Sequence, residues 1–324
     1  MGESKTDGKS VKPIERIIIS CVTFDTVKIT DPIEFYDATK AYLVHYFKKE
    51  NRYELVYQRV LEMLDEKFDL TLMDYDLEKG RCENKVHEDN EKTPVTVSKD
   101  GKINKIVKEL SIVDVNQVVY DFQEMLKTMF SIMECERKDE DDLKNPIYVN
   151  ISAGTSEFSA AALIASMMFE NVEVFSVNAS EYTVSDNSLY SDENGKFIGL
   201  AKSVKEPYSI KSFSIPRPDR RLVLSLRVYH ENGYPTAAKA IEALKAATYS
   251  VDGKTFNLWD WEDTPQEEKF KVQDEKLTAK DKMKFQRQFI DKWMAEDFLI
   301  RVGRGSYKLS SHGEFTVETY YTTE

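Results

Sequence analysis

Hydrophobic and polar positions recur with two different periods over the first two thirds of the chain. Continuous apolar runs rich in β-branched residues predict buried strands, and apolar residues at every third or fourth position predict helices. The predicted strands are 16–22, 40–47, 69–77, 104–114, 145–152 and 172–179, and the predicted helices are 53–68, 115–135 and 157–170. Strands that alternate with helices indicate βαβ units and a parallel, doubly wound sheet.

The polar stretches between these elements are predicted to form turns and loops. Residues 23–33 are predicted as a turn region, 78–101 as a loop, and 182–200 as a hairpin-like region with its turn at 192–195. Asp114 is predicted to cap the helix that ends near Cys135.

The last third of the chain follows a different pattern. Prolines in 214–219 predict a linker, and the amphipathic stretches 220–233, 236–247 and 278–299 then predict three helices. The core stripe of the third helix is predicted to contain Met283, Phe289, Ile290 and Trp293. Residues 299–315 predict a strand, a Gly-Arg-Gly turn and a second strand. Three helices followed by a small hairpin are typical of a winged helix-turn-helix.

An acidic insertion separates the second and third of these helices. It covers 248–276 and would repel DNA phosphates unless it folds away from the third helix. Its tryptophans, Trp259 and Trp261, could stack on a base, but they are better explained as a local hydrophobic anchor.

A turn of small residues follows the strand at 145–152. Ser152-Ala153-Gly154-Thr155-Ser156 lies between the carboxyl end of this strand and an Ala-rich helix. Open α/β sheets bind ligands at such a place, and the backbone N–H groups of a helix N-terminus favour an anion. The alternative is a plain tight turn, in which Gly154 supplies a positive φ and Thr155 caps the helix. Both explanations can hold together.

The distribution of charge agrees with two domains that have different tasks. The chain has 324 residues, or two domains at about 150 residues each. Its net charge is −12, and the excess acid lies before residue 217 because the two signs balance from there to the end. An acidic first part with a neutral second part excludes a protein that coats nucleic acid along its whole surface.

Several classes of protein are not indicated by the sequence. No apolar run approaches the roughly 18 residues of a membrane span, and 1–15 are predicted to be a disordered tail without a signal-peptide core. Cys21, Cys82 and Cys135 are widely spaced, which argues against a disulfide framework and a cysteine metal site. The four histidines have no ligand spacing, and motifs for nucleotide cofactors are missing. We therefore predict a cytoplasmic protein with no metal and no cofactor.

Two segments resemble a known family. "VNISAGTSEFSAAALIASMM" resembles the signature loop of CARF domains, the CRISPR-associated Rossmann-fold ligand sensors, and "DKWMAEDFLIRVGRGSYKLSSHGE" resembles the recognition helix and wing of winged-helix regulators. Their order is similar to that of the archaeal CARF–winged-helix transcriptional regulators. The resemblance extends from about Arg16 to Phe315.

The resemblance implies a fold, a ligand and an oligomeric state. It implies a Rossmann-like CARF domain with a parallel-rich sheet over 16–213, a linker over 214–219 and a winged helix-turn-helix domain over 220–324. CARF domains form homodimers and bind cyclic oligoadenylates, messengers made during phage defence, across the two-fold axis. The tetra-adenylate is the ring that we expect here. The implied ligand-binding residues are Thr23, Phe24, Asp25, Ser152, Ala153, Gly154, Thr155 and Ser156.

Some CARF domains also cleave the ring without a metal, which leaves an enzyme as an alternative. Many members have a second glycine in the turn and a Lys or Arg after the Thr. This chain has Ala153 and Ser156 at those places, and the acidic Glu157 follows. A ring nuclease would need a cation or a base near the turn, for which Lys28 and Arg16 are candidates. We therefore name no catalytic residue.

The C-terminal part carries basic residues that could contact double-stranded DNA. The candidates lie on the third helix and around the wing: Lys280, Lys282, Lys284, Arg287, Arg301, Arg304 and Lys308. The alternative is a solvated helix face, or a winged helix used to bind protein. The resulting hypothesis is a DNA-binding transcriptional regulator that responds to a cyclic oligoadenylate. The alternatives are a ring nuclease and a ligand sensor that signals to a protein partner.

Overall fold

A large, mainly parallel sheet organises the first 210 residues in the computed structural model. The structure describes residues 13–45, 52–84, 108–117, 121–138, 140–182, 201–251, 254–260, 278–303 and 305–323. The strands of this part are β1 (Ile17–Cys21), β2 (Lys40–His45), β3 (Phe68–Asp76), β4 (Arg81–Asn84), β5 (Lys108–Asn116), β6 (Ile147–Asn150), β7 (Val172–Ser176), β8 (Ala179–Tyr182), β9 (Ala201–Val204) and β10 (Tyr208–Ser209). The helices are α1 (Val27–Phe35), α2 (Arg52–Asp65), α3 (Phe122–Cys135) and α4 (Ser156–Met167).

Eight strands form the sheet in the order β10-β7-β6-β1-β2-β5-β3-β4. The six central strands are parallel, and β10 and β4 pair antiparallel at the two edges. Every residue of β1 is buried, as expected for a strand that is covered on both faces. The fold is therefore mixed α/β with a parallel-rich sheet, as the alternation of strands and helices predicts.

Helices cover both faces of the sheet. One face packs on α1 and α2 through residues such as Ile18, Leu43, Ile29 and Val60. The other face packs on α3 and α4, where the fully buried Met129, Phe130 and Phe158 lie against the sheet. Alternate residues of each central strand point to opposite faces, so both clusters draw on the same strands. This arrangement is a doubly wound sheet.

The predicted strands and helices largely agree with the structure, with four main differences. The predicted hairpin-like region 182–200, apart from Tyr182, and its turn at 192–195 lie outside the described residues. Residues 23–33, predicted as a turn region, contain most of α1. Its β-branched residues and Pro32 have low helix propensity, so the sequence does not indicate a helix. The helix forms because Ile29 and Ile33 are buried in the core. The predicted loop 78–101 contains β4. Asp114 lies within β5, and the cap of α3 is Asp121, whose carboxylate accepts the backbone N–H of Glu124 at 2.9 Å.

The fourth difference lies in the last third of the chain. Its elements are α5 (Arg220–Glu231), α6 (Ala237–Ala246), β11 (Thr248–Val251), β12 (Lys254–Asn257), α7 (Ala279–Phe285), a π-helical turn (Gln286–Ile290), α8 (Asp291–Ala295), β13 (Leu299–Gly303), β14 (Ser306–Leu309) and α9 (Ser311–Thr319). The sequence predicts no helix at α9. Met283, predicted in the core, is 51% exposed. The predicted Phe289, Ile290 and Trp293 are buried, and Phe285 takes the inward position instead of Met283.

Aromatic packing holds the C-terminal elements together. Trp293 is fully buried, and its indole N–H donates to the Leu222 carbonyl of α5 at 3.0 Å. Trp259, which follows the β11–β12 hairpin, is buried and stacks on Phe289 with ring centroids 5.7 Å apart. Trp259 therefore anchors the described part of the acidic insertion to the π-helical turn between α7 and α8, in agreement with the local anchor that the sequence predicts. Trp261 lies outside the described residues.

Helix α9 connects the C-terminal elements to the sheet. Its neighbours Tyr320 and Tyr321 pack edge-on against Phe130 of α3, with centroids 5.0 and 5.1 Å away. Arg220 of α5 forms an ion pair with Glu134 of α3. The apolar core therefore runs across the linker at 214–219, and the division of the chain at that point stays a prediction. Within the described ranges, no helix has the length and apolar composition that crossing a bilayer requires.

One guanidinium satisfies the carboxyl end of α9. Arg227 of α5 donates to the carbonyl of Val317 at 2.8 Å, to that of Tyr321 at 2.7 Å and to that of Tyr320 at 2.5 Å. The last carbonyls of a helix lack intrahelical partners and carry a partial negative charge, so a cation stabilises them. The Arg227 contact thus fixes α9 to α5.

We predict that Arg227→Met lowers the free energy of unfolding by about 2–4 kcal/mol, because several buried carbonyls lose a charged donor. Urea denaturation followed by circular dichroism measures the change. Lys239→Met is the matched control, since Lys239 is exposed on α6 and should change stability by less than about 0.5 kcal/mol. An equal change in both variants would contradict the role of Arg227.

Candidate functional site

The direction of the chain reverses at the centre of the sheet. Strands β1 and β6 are parallel neighbours, with Ser20 opposite Asn150 near their carboxyl ends. From β1 the chain continues through α1 to β2 on one side, and from β6 it continues through α4 to β7 on the other. The two loops diverge, and a crevice forms between them at such a switch point. The predicted turns Thr23-Phe24-Asp25 and 152–156 are these two loops.

Asn150, at the end of β6, connects the two loops through hydrogen bonds. It is fully buried, and its amide donates to the Ser20 hydroxyl at 3.3 Å and to the Lys28 carbonyl at 2.8 Å. Its carbonyl oxygen accepts the backbone N–H and the hydroxyl of Ser152. Asn150 therefore connects β6, β1 and the first turn of α1. Asn150 was missed by sequence reasoning, although a polar amide in an apolar strand was the available signal.

Gly154 has the conformation that the turn requires. Its φ is +120°, a region that residues with a side chain rarely adopt. A Cβ at this position would lie 2.7 Å from Cδ1 of Phe158 and 2.9 Å from Cβ of Cys21. The backbone of the turn thus packs directly on the end of β1. The sequence allows two explanations of this glycine, a tight turn or a ligand contact. These distances support the tight turn.

The remaining residues of the turn differ in exposure. Ala153 is 3% exposed, so its side chain fills the core and only its backbone could contact a ligand. Ser152 is half-buried, whereas Gly154, Thr155 and Ser156 are exposed. The Thr155 hydroxyl accepts the backbone N–H of Phe158 at 3.2 Å and caps α4. The surface that the turn offers therefore consists of Gly154, Thr155 and Ser156.

A carboxylate already faces the N-terminus of α4. The Glu157 carboxylate accepts hydrogen bonds from its own backbone N–H and from the hydroxyls of Thr155 and Ser156, which lowers its pKa. The Ser156 contact measures 3.1 Å. This end of α4 stabilises negative charge, as helix N-termini do, and an acidic side chain of the same helix uses that capacity.

The loop after β1 contributes an ion pair and an aromatic ring. One Asp25 oxygen lies 2.8 Å from the Lys28 ammonium, and the other accepts the Ala201 backbone N–H at 3.0 Å. The Phe24 side chain is 38% exposed. Of the two cations considered for ring cleavage, Lys28 lies at this edge of the sheet. Arg16 precedes the opposite end of β1, where it binds Asp37.

The next two strands along the same edge, β2 and β5, carry a buried polar pair that sequence reasoning missed. His45 ends β2, and its Nε2 contacts the Asp114 carboxylate of β5. The imidazole is fully buried and stacks on Tyr57 of α2 with centroids 4.5 Å apart. Burial and the Asp114 charge raise the pKa of the Tyr57 hydroxyl. This pair supports the edge from within the core and has no exposed imidazole atom to offer a ligand.

The basic residues of the C-terminal part do not form one uniform surface. Lys280, Lys282 and Arg287 are exposed along α7 and the π-helical turn. Lys308 is exposed on β14, and the exposed Arg301 on β13 donates back to the Gly303 carbonyl at 3.1 Å. Arg304 lies outside the described residues.

Lys284 differs from the other basic candidates. Its ammonium lies 4.8 Å from the ring centre of Trp259 and 3.6 Å from the Asp260 carboxylate. Burial lowers its pKa. Lys284 therefore stabilises the packing of the insertion on α7 and is less available to a phosphate than its neighbours.

Comparisons with known proteins find only distant structural likeness. No family model matches the chain, and no curated protein matches it. It is similar to Enterococcus italicus Csm6 bound to cyclic hexa-2′-fluoro-hexa-dAMP, with 10% identity, coverage of 71% of this chain and 48% of that chain, and a TM-score of 0.36. It is also similar to Can2 from Sulfobacillus thermosulfidooxidans in complex with cyclic tetra-adenylate, with 8% identity, coverage of 94% and 64%, and a TM-score of 0.32. This chain spans less than two thirds of either protein, and we infer no activity or ligand from similarity at this level.

We predict that Gly154→Ala destabilises the protein more than Gly233→Ala does. Gly233 also has a positive φ, +70°, but a Cβ there would meet nothing within 4 Å. Gly233→Ala should cost about 1 kcal/mol of unfolding free energy from backbone strain alone. Gly154→Ala adds a clash with β1 and α4 and should cost about 3 kcal/mol or more. Chemical denaturation compares the two, and equal losses would show that the turn can move away from β1.

Proposed function

We propose that this protein is a homodimeric sensor of a cyclic oligoadenylate and a DNA-binding transcriptional regulator. The observation that carries the proposal is the position of the CARF-like turn 152–156. It lies beside Thr23-Phe24-Asp25 at the switch point of a doubly wound sheet, where open α/β sheets bind ligands. The same two turns are the ones that the sequence resemblance assigns to the ligand.

The chemistry of the edge suits a nucleotide ring held mainly through backbone and hydroxyl groups. Thr155 and Ser156 offer hydroxyls at the N-terminus of α4, and Phe24 offers an exposed aromatic ring to a base. Gly154 is exposed, so the backbone of the turn is accessible at this edge. Among the described residues of the two loops and the first turns of α1 and α4, the cation is Lys28, and Asp25 pairs with it. Binding of an intact ring is therefore favoured over cleavage, which needs charge stabilisation at the scissile phosphate.

A homodimer would complete the site. The candidate residues Phe24, Gly154, Thr155 and Ser156 are exposed at an edge of one chain. A ring bound there would contact one chain on one side only, and a second copy related by a two-fold axis would enclose it. Such an isologous arrangement gives the ring the same contacts from each protomer.

The C-terminal elements fit a winged helix-turn-helix. Helices α5 and α6 precede the long segment formed by α7, the π-helical turn and α8, and the β13–β14 hairpin follows as a wing. Lys280, Lys282 and Arg287 lie on the segment that would enter the major groove, and Lys308 lies on the wing. Contact between α9 and α3 offers a path by which ring binding could change the separation of two wings.

We predict that Glu157→Gln tightens binding of cyclic tetra-adenylate by about two- to five-fold. The substitution removes a negative charge from the helix end that would face a phosphate, a change worth about 0.3–1 kcal/mol. Isothermal titration calorimetry measures the affinity, and Glu170→Gln, at an exposed position beyond the other end of α4, is the matched control. Equal affinities of the two variants for the ring would show that the N-terminus of α4 does not contact the ligand.

Native mass spectrometry of the wild-type protein with the same ring decides among the alternatives. One intact ring per dimer supports the sensor. A bound linear product supports the ring nuclease, and no binding to cyclic tri-, tetra- or hexa-adenylate contradicts the proposed ligand class.

We predict that Lys282→Gln weakens binding to a mixed-sequence DNA duplex and lowers the slope of log affinity against log salt by about 1 per protomer, or about 2 for a homodimer with both wings on DNA. Lys284→Gln should leave the slope unchanged, because Lys284 is engaged by Trp259 and Asp260. Fluorescence anisotropy over a salt series measures both. No duplex binding by a protein that binds the ring would favour signalling to a protein partner instead.

A further inference from the structure

Three potential metal ligands that are distant in sequence meet on the α3 side of the sheet. They are Cys82 of β4, Cys135 at the end of α3 and Glu136, which caps that helix. Their sulfur and carboxylate atoms all lie within 4.8 Å of one another. The two cysteines are half-buried, and Glu136 is 7% exposed. These residues lie apart from the switch-point site, and neither proposed activity uses them.

The fold explains why spacing in the sequence does not reveal this cluster. Strand β4 pairs antiparallel with β3 and sets Cys82 opposite Tyr75, at the edge of the sheet. Helix α3 crosses the same face and ends there, which brings Cys135 and Glu136 to Cys82. The third cysteine, Cys21, is buried in β1 and is not part of the cluster.

Neighbouring side chains already form a shell around the three groups. The Tyr42 hydroxyl lies 3.2 Å from the Cys82 sulfur and donates to the Glu136 carboxylate. The Lys40 ammonium lies 2.6 Å from Oε1 of Glu136. Hydrogen bonds of this kind orient the ligands of protein metal sites and tune their charge.

The charges balance when a divalent cation is present. Two thiolates and a carboxylate around a dication leave one negative charge, and the Lys40 ammonium offsets it. Thiolates select soft or borderline cations, and a set of two sulfurs and one oxygen suits tetrahedral Zn²⁺ with water as the fourth ligand. Binding would release both thiol protons to the solvent.

We infer that Cys82, Cys135 and Glu136 bind a thiophilic divalent cation of the zinc class. The metal would join the edge strand β4 to the carboxyl end of α3. Glu134, one residue before Cys135, pairs with Arg220 of α5, so the same end of α3 contacts the C-terminal elements. The site would therefore fix α3 where the two parts of the protein meet.

The test uses Co²⁺ as a spectroscopic probe for Zn²⁺ in the reduced, metal-stripped full-length protein. One equivalent of Co²⁺ per chain should produce visible bands of tetrahedral cobalt and an ultraviolet thiolate charge-transfer band, and Zn²⁺ should displace it. Cys82→Ser and Cys135→Ser should abolish the thiolate band. Cys21→Ala should retain it, because Cys21 lies outside the cluster.

Two further measurements separate ligation from a loss of folding. Glu136→Gln should weaken Co²⁺ binding at least ten-fold, and Glu136→Asp should restore part of it by returning a carboxylate. Thermal unfolding without metal identifies variants that fail to fold. Absence of the thiolate band in the folded, reduced wild-type protein would overturn the proposal, as would a Cys82–Cys135 disulfide that forms while no metal binds. Neither outcome depends on the ring or on DNA.

Discussion

The close approach of the 152–156 turn to the end of β1 is the constraint on which the rest of the site depends. Gly154 leaves no space for a side chain between Cys21 and Phe158. The first turn of α4 is therefore held against the central strand, and Asn150 fixes the neighbouring loop from within the core. The two loops keep their relative positions because packing and hydrogen bonds act on the same few residues.

Two carboxylates among the described residues of this edge already engage the groups that could hold an anion. Glu157 uses the N-terminus of α4, and Asp25 faces Lys28. An anionic ligand at this edge would have to compete with these two carboxylates. Lys284 in the C-terminal part is likewise engaged within the chain, by Trp259 and Asp260.

The sequence predicts the central sheet and most of the helices that cover it. The strands are continuous apolar runs, and the helices carry apolar residues at every third or fourth position. The sequence predicts α1 and α9 poorly, since their short apolar patterns are decided by packing on α2 and α3. The turn residues could be identified from their small size and their place after a strand. Asn150, His45 and the Cys82–Cys135–Glu136 cluster could not be identified, because each depends on neighbours that only the topology brings together.

The position of β1 in the sheet has a consequence for how the chain folds. Its two neighbours are β2, which follows soon after it, and β6, which follows only after β3, β4 and β5. Contacts between residues so far apart in sequence form late and slow the folding of a domain. During synthesis, the fully buried strand β1 would therefore keep one edge unpaired until residues 147–150 leave the ribosome. The strand that completes the pairing of β1 is also the one that leads into the 152–156 turn, so the candidate site can form only after this late pairing.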